Sequence, residues 1–144
     1  MAMVRGSKTL SSPLHLLHRA GQRADFLFAH HVGNHNFTPR QFAVLQAVAN
    51  ADGLSQTAIM TATGIDRSGT AELVRRLVAS GLLQRRRTKQ DARVYAVRIT
   101  PQGRKMLSLG ERAARAAGTQ LLASIPRRQR ATFVAALSSI IDVA

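Results

Sequence analysis

The sequence of 144 residues contains no cysteine, and only 4% of its residues are aromatic. The absence of cysteine excludes a disulfide framework, a thiolate zinc site and a cysteine redox switch. Because aromatic residues are scarce while hydrophobic residues make up 45% of the chain, the core must consist mainly of Leu, Val, Ile and Ala, a composition that favours helices. The length fits one compact domain.

Long apolar segments are also missing. No run of about 18 apolar residues is available to span a bilayer, and the stretch from Met1 to Leu10 lacks the apolar region of a secretory signal. We therefore expect a cytoplasmic protein.

Acidic residues are few, and they form no pattern typical of catalysis. The seven carboxylates are scattered, no nucleophile has a base in a recognisable setting, and no Gly-rich phosphate loop is present. We expect neither an enzyme nor a bound cofactor.

Basic residues dominate the charge of the chain. Lys and Arg number 21 and give a formal net charge of +14. Eleven of these residues, against three acidic ones, lie in segment 65–105. A field of this size attracts polyanions, through phosphate neutralisation and counterion release if the partner is nucleic acid. The alternative is a solvated excess of arginine that reflects codon composition.

Apolar spacing and capping signals predict two helices in the first third of the chain. The first begins near Pro13, because proline is tolerated only in the first turn of a helix. It ends near Gly33. In the second, Thr38 is an N-cap and Pro39 a first-turn proline, and the apolar stripe stops before Asp52.

Two short helices follow. Ser55 is the predicted N-cap of the third helix, in which Ile59 and Ala62 face inward. Gly64 supplies the left-handed residue at its end, and Asp66 caps a fourth helix that runs to about residue 80. The tight turn between them predicts a helix-turn-helix.

The fourth helix has two distinct faces. A projection at 100° per residue places an apolar stripe on one side, formed by Thr70, Leu73, Val74 and Leu77. The opposite face is small and polar, as a helix that enters a DNA groove requires; it comprises Ser68, Ala71, Glu72, Arg75 and Ala79. The alternative is an ordinary surface helix.

A basic hairpin comes next in the chain. Residues 82–86 can form one strand, residues 87–92 form a polar tip, and residues 93–100 form a second strand in which apolar side chains alternate. A hairpin of two strands is marginal by itself, so it must pack on the helices. Arginines at such a tip can enter the minor groove of DNA. The basic residues at the tip are Arg86, Arg87, Lys89 and Arg93, with Asp91 as the single acid.

The ends of the chain carry long apolar helices. Thr100 and Pro101 repeat the cap-plus-proline signal and start a helix that runs to about Ser124. A last helix spans residues 127–143 and carries an apolar stripe that includes Leu137. Because a compact helix-turn-helix core does not need these stripes, we expect them to pack against a second copy in a two-fold dimer.

Three motifs in this order resemble the MarR (multiple antibiotic resistance regulator) family of winged-helix transcription factors. Asp66-Arg67-Ser68 leads to Leu73-Val74-Arg75-Arg76-Leu77 and Gly81-Leu82; Asp91-Ala92-Arg93 is similar to the family's Asp-x-Arg; and Ile99-Thr100-Pro101-x-Gly103 is similar to its Leu-Thr-x-x-Gly. The resemblance implies a mainly α fold with a small β-hairpin wing. Residues 1–144 would form one domain, with dimerisation helices at 8–34 and 104–144 around a winged helix-turn-helix at 38–103.

The resemblance also implies a transcriptional regulator that binds a pseudo-palindromic operator in double-stranded DNA. We expect it to be a repressor. Glu72 would repel phosphate but can accept a hydrogen bond from cytosine N4. The expected DNA-binding residues are Ser55, Gln56, Arg67, Ser68, Gly69, Ala71, Glu72, Arg75, Arg76, Arg86, Arg87, Lys89, Asp91 and Arg93.

Relatives commonly sense a small anion, often an aromatic carboxylate, in a cleft beside the dimerisation helices. By this resemblance Arg19 or Arg23 would pair with the carboxylate, and a coenzyme A thioester is a larger alternative. The other interpretation is that Phe26 and Phe42 are core residues and the arginines are solvated. The expected ligand-binding residues are His15, His18, Arg19, Gln22, Arg23, Phe26 and Phe42.

Three other interpretations stay open at this point. The pairs His15/His18 and His31/His35 have helical spacing compatible with a metal, but ordinary surface histidines are the better explanation and we assign no metal site. The charge alone also fits a nonspecific or architectural DNA-binding protein, or a module that binds other proteins.

Overall fold

A computed structural model describes residues 8–90 and 95–142 of the chain. In these two ranges it contains six α-helices and one antiparallel hairpin of two strands, which confirms the predicted fold class. The elements in chain order are α1 Pro13–Val32, α2 Pro39–Ala49, α3 Gln56–Thr63, α4 Arg67–Ala79, β1 Leu83–Arg87, β2 Tyr95–Ile99, α5 Pro101–Ala123 and α6 Arg130–Ile141, with 3-10 turns at Lys8–Ser11, Gly33–His35 and Arg127–Gln129.

Side-chain caps fix where these helices begin. Thr38 and Gln41 form a reciprocal capping box at the start of α2, in which each side chain accepts a hydrogen bond from the other's backbone N–H. The side chains of Ser55, Asp66 and Thr100 each accept a hydrogen bond from the backbone N–H three residues later. All four predicted N-caps are confirmed, so local chemistry determines the starts of α2 to α5.

The core lies where the helix-turn-helix meets the hairpin. Val48 of α2, Ile59 of α3 and Val74 of α4 are fully buried, and Leu83 and Val97 bring one face of the hairpin into the same cluster. Burial of a side chain of this size stabilises the fold by about 1.5–3 kcal/mol. The hairpin therefore packs on the helices, as predicted.

The hairpin also forms an isolated backbone bridge with the loop before α3. The strands pair in the register Leu83 with Ile99 through Arg87 with Tyr95. Leu54, in the loop between α2 and α3, exchanges two backbone hydrogen bonds with Val97, at N···O distances of 3.0 and 2.7 Å. This bridge ties the base of the hairpin to the segment that leads into α3.

The two ends of the chain leave apolar side chains in solvent. α1 packs along α5, where His31 Nε2 and Gln120 Oε1 lie 2.6 Å apart. α6 contains no buried residue. The exposed apolar side chains at the two ends are Leu10, Leu14, Leu16 and Leu17 near the N-terminus and Phe133, Val134, Ile140 and Ile141 in α6.

Four details differ from the prediction. Ala62, expected to face inward, is exposed, and its small side chain does not determine which way α3 faces, whereas Ile59 is buried. The strand β1 begins at Leu83 instead of Leu82 and extends through Arg87. The last helix has a 3-10 first turn after Pro126 and becomes α-helical only at Arg130. Phe42, expected on a ligand-binding wall, lies in the core, as described with that wall below.

Candidate nucleic-acid interface

The turn between α3 and α4 fixes the orientation of the two helices. Gly64 adopts a φ of +73°, a left-handed conformation that favours glycine, and its N–H donates to the Met60 carbonyl to close α3. Thr70 is the buried polar residue of α4, and its hydroxyl donates to the Ile65 carbonyl at 3.3 Å. The first bond ends α3, and the second connects the turn to the first turns of α4.

The two predicted faces of α4 are present. Thr70, Val74 and Leu77 are buried, while Leu73 is partly buried. The opposite side, which we call the polar face of α4, is open to solvent to different degrees. Its members are Ser68, Arg75 and Ala79, which are exposed, and Ala71 and Glu72, which are half-buried.

Glu72 pairs with two arginines on this side of the helix. Its carboxylate accepts two hydrogen bonds from Arg75, at 3.0 Å from Nε and 2.7 Å from Nη2, and one from Arg76 Nε at 2.7 Å. The two hydrogen bonds from Arg75, and then the one from Arg76, lower the pKa of Glu72 from 4.5 to about 2. The same pairing raises the pKa of Arg75. Glu72 is therefore ionised and bound to its neighbours in the free protein.

The first turn of α4 approaches α2 closely. Asp66 Oδ1 accepts a hydrogen bond from the Gly69 N–H at 2.6 Å, and the hydroxyl of Ser68 lies 3.4 Å from the same oxygen. A Cβ atom on Gly69 would lie 3.0 Å from Arg40 Nη2. The missing side chain at Gly69 thus makes room for a cation from α2. The sequence interpretation did not include Arg40, although a glycine inside a helix is a signal of such close approach.

At the start of α3, one predicted DNA-binding residue has a structural task. The hydroxyl of Ser55 accepts a hydrogen bond from the Ala58 N–H at 3.1 Å, and both Ser55 and Gln56 are half-buried. The Ser55 hydroxyl can still donate one hydrogen bond to a phosphate oxygen.

The hairpin presents its basic side chains on both faces. Arg86, Arg87 and Lys89 are exposed. The guanidinium of Arg87 lies 5.7 Å from the ring centroid of Tyr95, its partner in the register. Arg86 pairs with Ala96 and points to the other face. Two further predicted DNA-binding residues, Asp91 and Arg93, lie outside the described residues.

The predicted ligand-binding residues divide into two groups. Six of them follow one another along α1, where the guanidinium of Arg23 stacks over the exposed ring of Phe26 at 5.6 Å. Phe42 instead lies in the core, where its ring contacts those of Phe28 and Phe37. Gly110 of α5 allows this approach, because a Cβ there would lie 2.5 Å from the Phe42 ring. The remaining six residues stay a prediction: His15, His18, Arg19, Gln22, Arg23 and Phe26.

The described part of the chain also contains an open pocket of about 440 Å³, and none of the predicted ligand-binding residues lines it. It is formed by the C-terminal half of α1, the following loop and the first turn of α2. Asp25, Asn36 and Arg40 supply polar groups, and Phe37 and Pro39 supply apolar surface. Arg40 therefore borders both the pocket and the first turn of α4.

Within residues 8–90 and 95–142, no three side chains of the metal-binding types are close enough to share an ion. In the same ranges no helix is both long and apolar enough to cross a membrane.

Comparison with known proteins identifies the family to which this chain belongs. The sequence profile of the MarR family matches residues 35–94. A Thauera aromatica protein assigned as a transcriptional regulatory protein for the hcr operon is 32% identical over 140 residues, which cover 96% of this chain and 83% of that protein. The chain belongs to the MarR family. As a MarR-family protein it is a transcriptional regulator and not an enzyme.

Solved structures of similar regulators share the whole architecture of this MarR-family chain. Bordetella bronchiseptica BpsR, whose DNA binding is regulated by 6-hydroxynicotinic acid, has a TM-score of 0.88 at 26% identity and covers 96% of this chain and 99% of its own. The transcriptional repressor CouR, bound to a 23-mer DNA duplex, has a TM-score of 0.86 at 27% identity and covers 97% and 99%. The winged-helix fold predicted from the sequence is confirmed.

Proposed function

We propose that this regulator is a homodimeric repressor that binds a pseudo-palindromic operator and leaves it when a small anionic ligand binds. The observation that carries the proposal is the polar face of α4 followed directly by the exposed basic hairpin, because a helix and a wing in this order serve neighbouring grooves of DNA. The similarity to the DNA-bound repressor CouR supports the same interpretation. Since the proposed partner is chromosomal DNA, the protein would act in the cytoplasm.

The residues have different proposed roles at DNA. Side chains of the polar face of α4 approach the base edges of the major groove, and the hairpin tip enters the minor groove with Arg93. Cations around them neutralise phosphates, which strengthens binding to any sequence. The proposed phosphate contacts are Ser55, Gln56, Arg67, Arg76, Arg86, Arg87 and Lys89, and Arg40 joins them at the first turn of α4.

The proposed dimer buries the apolar side chains that one protomer leaves in solvent. Residues near the start of α1 and in α6 expose apolar surface at both ends of the chain, and large exposed apolar patches mark interaction sites. A two-fold axis through these helices would present two copies of α4 to the two half-sites of a pseudo-palindrome.

The proposed ligand is an aromatic carboxylate or its coenzyme A thioester. A carboxylate requires a cation and an aromatic ring requires apolar surface. The pocket beside α2 provides Arg40 and Phe37, and α1 provides Arg19, Arg23 and Phe26. Regulation of BpsR by 6-hydroxynicotinic acid supports this chemical class.

Footprinting on the protein's own promoter tests the DNA part of the proposal. A repressor of this kind should protect one site with two-fold symmetry, whereas uniform protection of the fragment would indicate a nonspecific DNA-binding protein.

A thermal-shift screen of aromatic acids and their thioesters, followed by release from promoter DNA, tests the ligand part. Compounds that stabilise the protein without changing its affinity for DNA would contradict the proposed regulation.

A further inference from the structure

We propose that Glu72 is a positioning residue that increases DNA-sequence specificity. Its carboxylate orients the side chains of Arg75 and Arg76 on α4 and neutralises part of the positive charge that would otherwise attract DNA phosphates. The inference rests on the proposed function, because it requires the polar face of α4 to meet DNA. It differs from the expectation that Glu72 reads a base itself.

The geometry uses both oxygens of the carboxylate. Arg75 donates from Nε to Oε2 at 3.0 Å and from Nη2 to Oε1 at 2.7 Å, and Arg76 donates from Nε to Oε1 at 2.7 Å. Forked pairing of this kind is both stronger and more directional than a single contact. Three of the donors that the two arginines would offer to DNA are thus already engaged in the free protein.

Folding stability does not account for this arrangement. The side chains of Glu72, Arg75 and Arg76 are 44%, 62% and 63% exposed, and exposed ion pairs stabilise proteins little. Among the acidic residues of segment 65–105, Asp66 caps α4 and Asp91 lies beyond the described residues. Glu72 is the acid on the polar face itself, where a carboxylate opposes the attraction of a polyanion.

The expected consequence is lower affinity for DNA of arbitrary sequence. Phosphate neutralisation is common to all sequences, whereas base contacts distinguish them. A carboxylate that pairs with the two arginines weakens their contribution to phosphate neutralisation. A base of the operator can still compete with Glu72 for the oriented Arg75. Since Arg75 is held in one geometry before binding, it also loses less conformational freedom when it meets its base.

The test compares Glu72→Gln with the wild-type protein on operator and random duplexes over a series of salt concentrations. We expect the variant to bind random duplex more tightly. Its salt slope should be steeper by about 0.9 for each additional phosphate that an arginine neutralises, or about 1.8 for one such phosphate in each of two protomers. Operator affinity should rise less, so that the ratio of operator to random affinity falls several-fold.

Two matched controls separate this mechanism from others. Glu111→Gln removes the same charge from α5 and should change neither slope nor ratio. In an Arg75→Ala/Arg76→Ala background, Glu72→Gln should have a much smaller effect, because only the direct repulsion between the carboxylate and phosphate is then removed.

Three results would overturn the inference. The first is an equal change with Glu111→Gln, and the second is a full effect of Glu72→Gln without the arginines. The third is loss of operator affinity with an unchanged slope on random duplex, which is expected if Glu72 contacts cytosine directly. A wild-type protein that does not discriminate the operator would instead contradict the proposed function itself, and this inference with it.

Discussion

Gly103 stands where α5 begins, and the substitution Gly103→Ala should destabilise the protein measurably. Gly103 is buried. A Cβ at this position would fall well inside contact distance from the backbone carbonyl oxygen of Leu82 and 2.7 Å from Ile99 Cγ1. A carbonyl in the main chain cannot rotate away as a flexible side chain can, so the backbone around Leu82 must move.

The cost follows from what this carbonyl holds together. It accepts a hydrogen bond from the Thr100 N–H at 3.1 Å, while the N–H of Leu82 donates to the Leu77 carbonyl at 2.9 Å. Leu82 thus connects the end of α4, the hairpin and α5. Overpacking costs about 1–3 kcal/mol, and the better helix propensity of alanine offsets up to about 1 kcal/mol. We expect a net loss of about 1–2 kcal/mol.

For a domain of this size the loss corresponds to a melting temperature lower by about 2–8 °C. The assay is thermal unfolding at equal protein concentration, because the melting temperature of a dimer depends on concentration. The matched control is Gly118→Ala in the same helix, where a Cβ meets nothing within 4 Å and the melting temperature should rise by about 2–4 °C. A Gly103→Ala variant that melts at or above the wild-type temperature would refute the close approach.

Three further predictions concern the interfaces and the charges. Ile140→Asp should yield monomers in sedimentation, because Ile140 is 58% exposed on the apolar stripe of α6; Ser139→Asp should not, and a dimeric Ile140→Asp would place the interface elsewhere. Arg93→Ala should weaken DNA binding and make the salt slope shallower by about 1 per protomer; unchanged binding would favour a protein-interaction module. Because the pKa of Glu72 is lowered to about 2, its ion pairs stabilise the fold above about pH 4.5 and lose this effect as the pH falls toward 2. Since the pairs are exposed, the difference in melting temperature between wild type and Glu72→Gln should be small above about pH 4.5 and should vanish over that interval, and a difference independent of pH would contradict the pairing.

Local signals in the sequence were sufficient for most of the helix boundaries. Thr38, Ser55, Asp66 and Thr100 satisfy N–H groups only a few residues away, so their roles can be predicted without knowledge of the fold. The apolar stripe of α4 was predicted for the same reason, since a helix projection requires only the helix itself.

Features that depend on distant parts of the chain could not be predicted in this way. The bridge between Leu54 and Val97 joins residues far apart in sequence, and the burial of Phe42 depends on Gly110 in another helix. Ala62 has too little side chain for its apolar character to determine which way α3 faces.

The pairing of Glu72 follows a local rule, yet the sequence interpretation assigned Glu72 to DNA alone. Arginines at the third and fourth positions after a glutamate are neighbours on a helix surface. The same spacing that places Arg75 beside a DNA groove therefore also places it beside Glu72.

In the proposed function, the polar face of α4 and the basic hairpin recognise a particular DNA sequence. The most direct measurement is the ratio of the wild-type protein's affinity for its promoter site to its affinity for a scrambled duplex of equal length, at one fixed salt concentration. We expect a ratio of about 10³ or more. A ratio near one would contradict the account, since charge alone would then explain the binding.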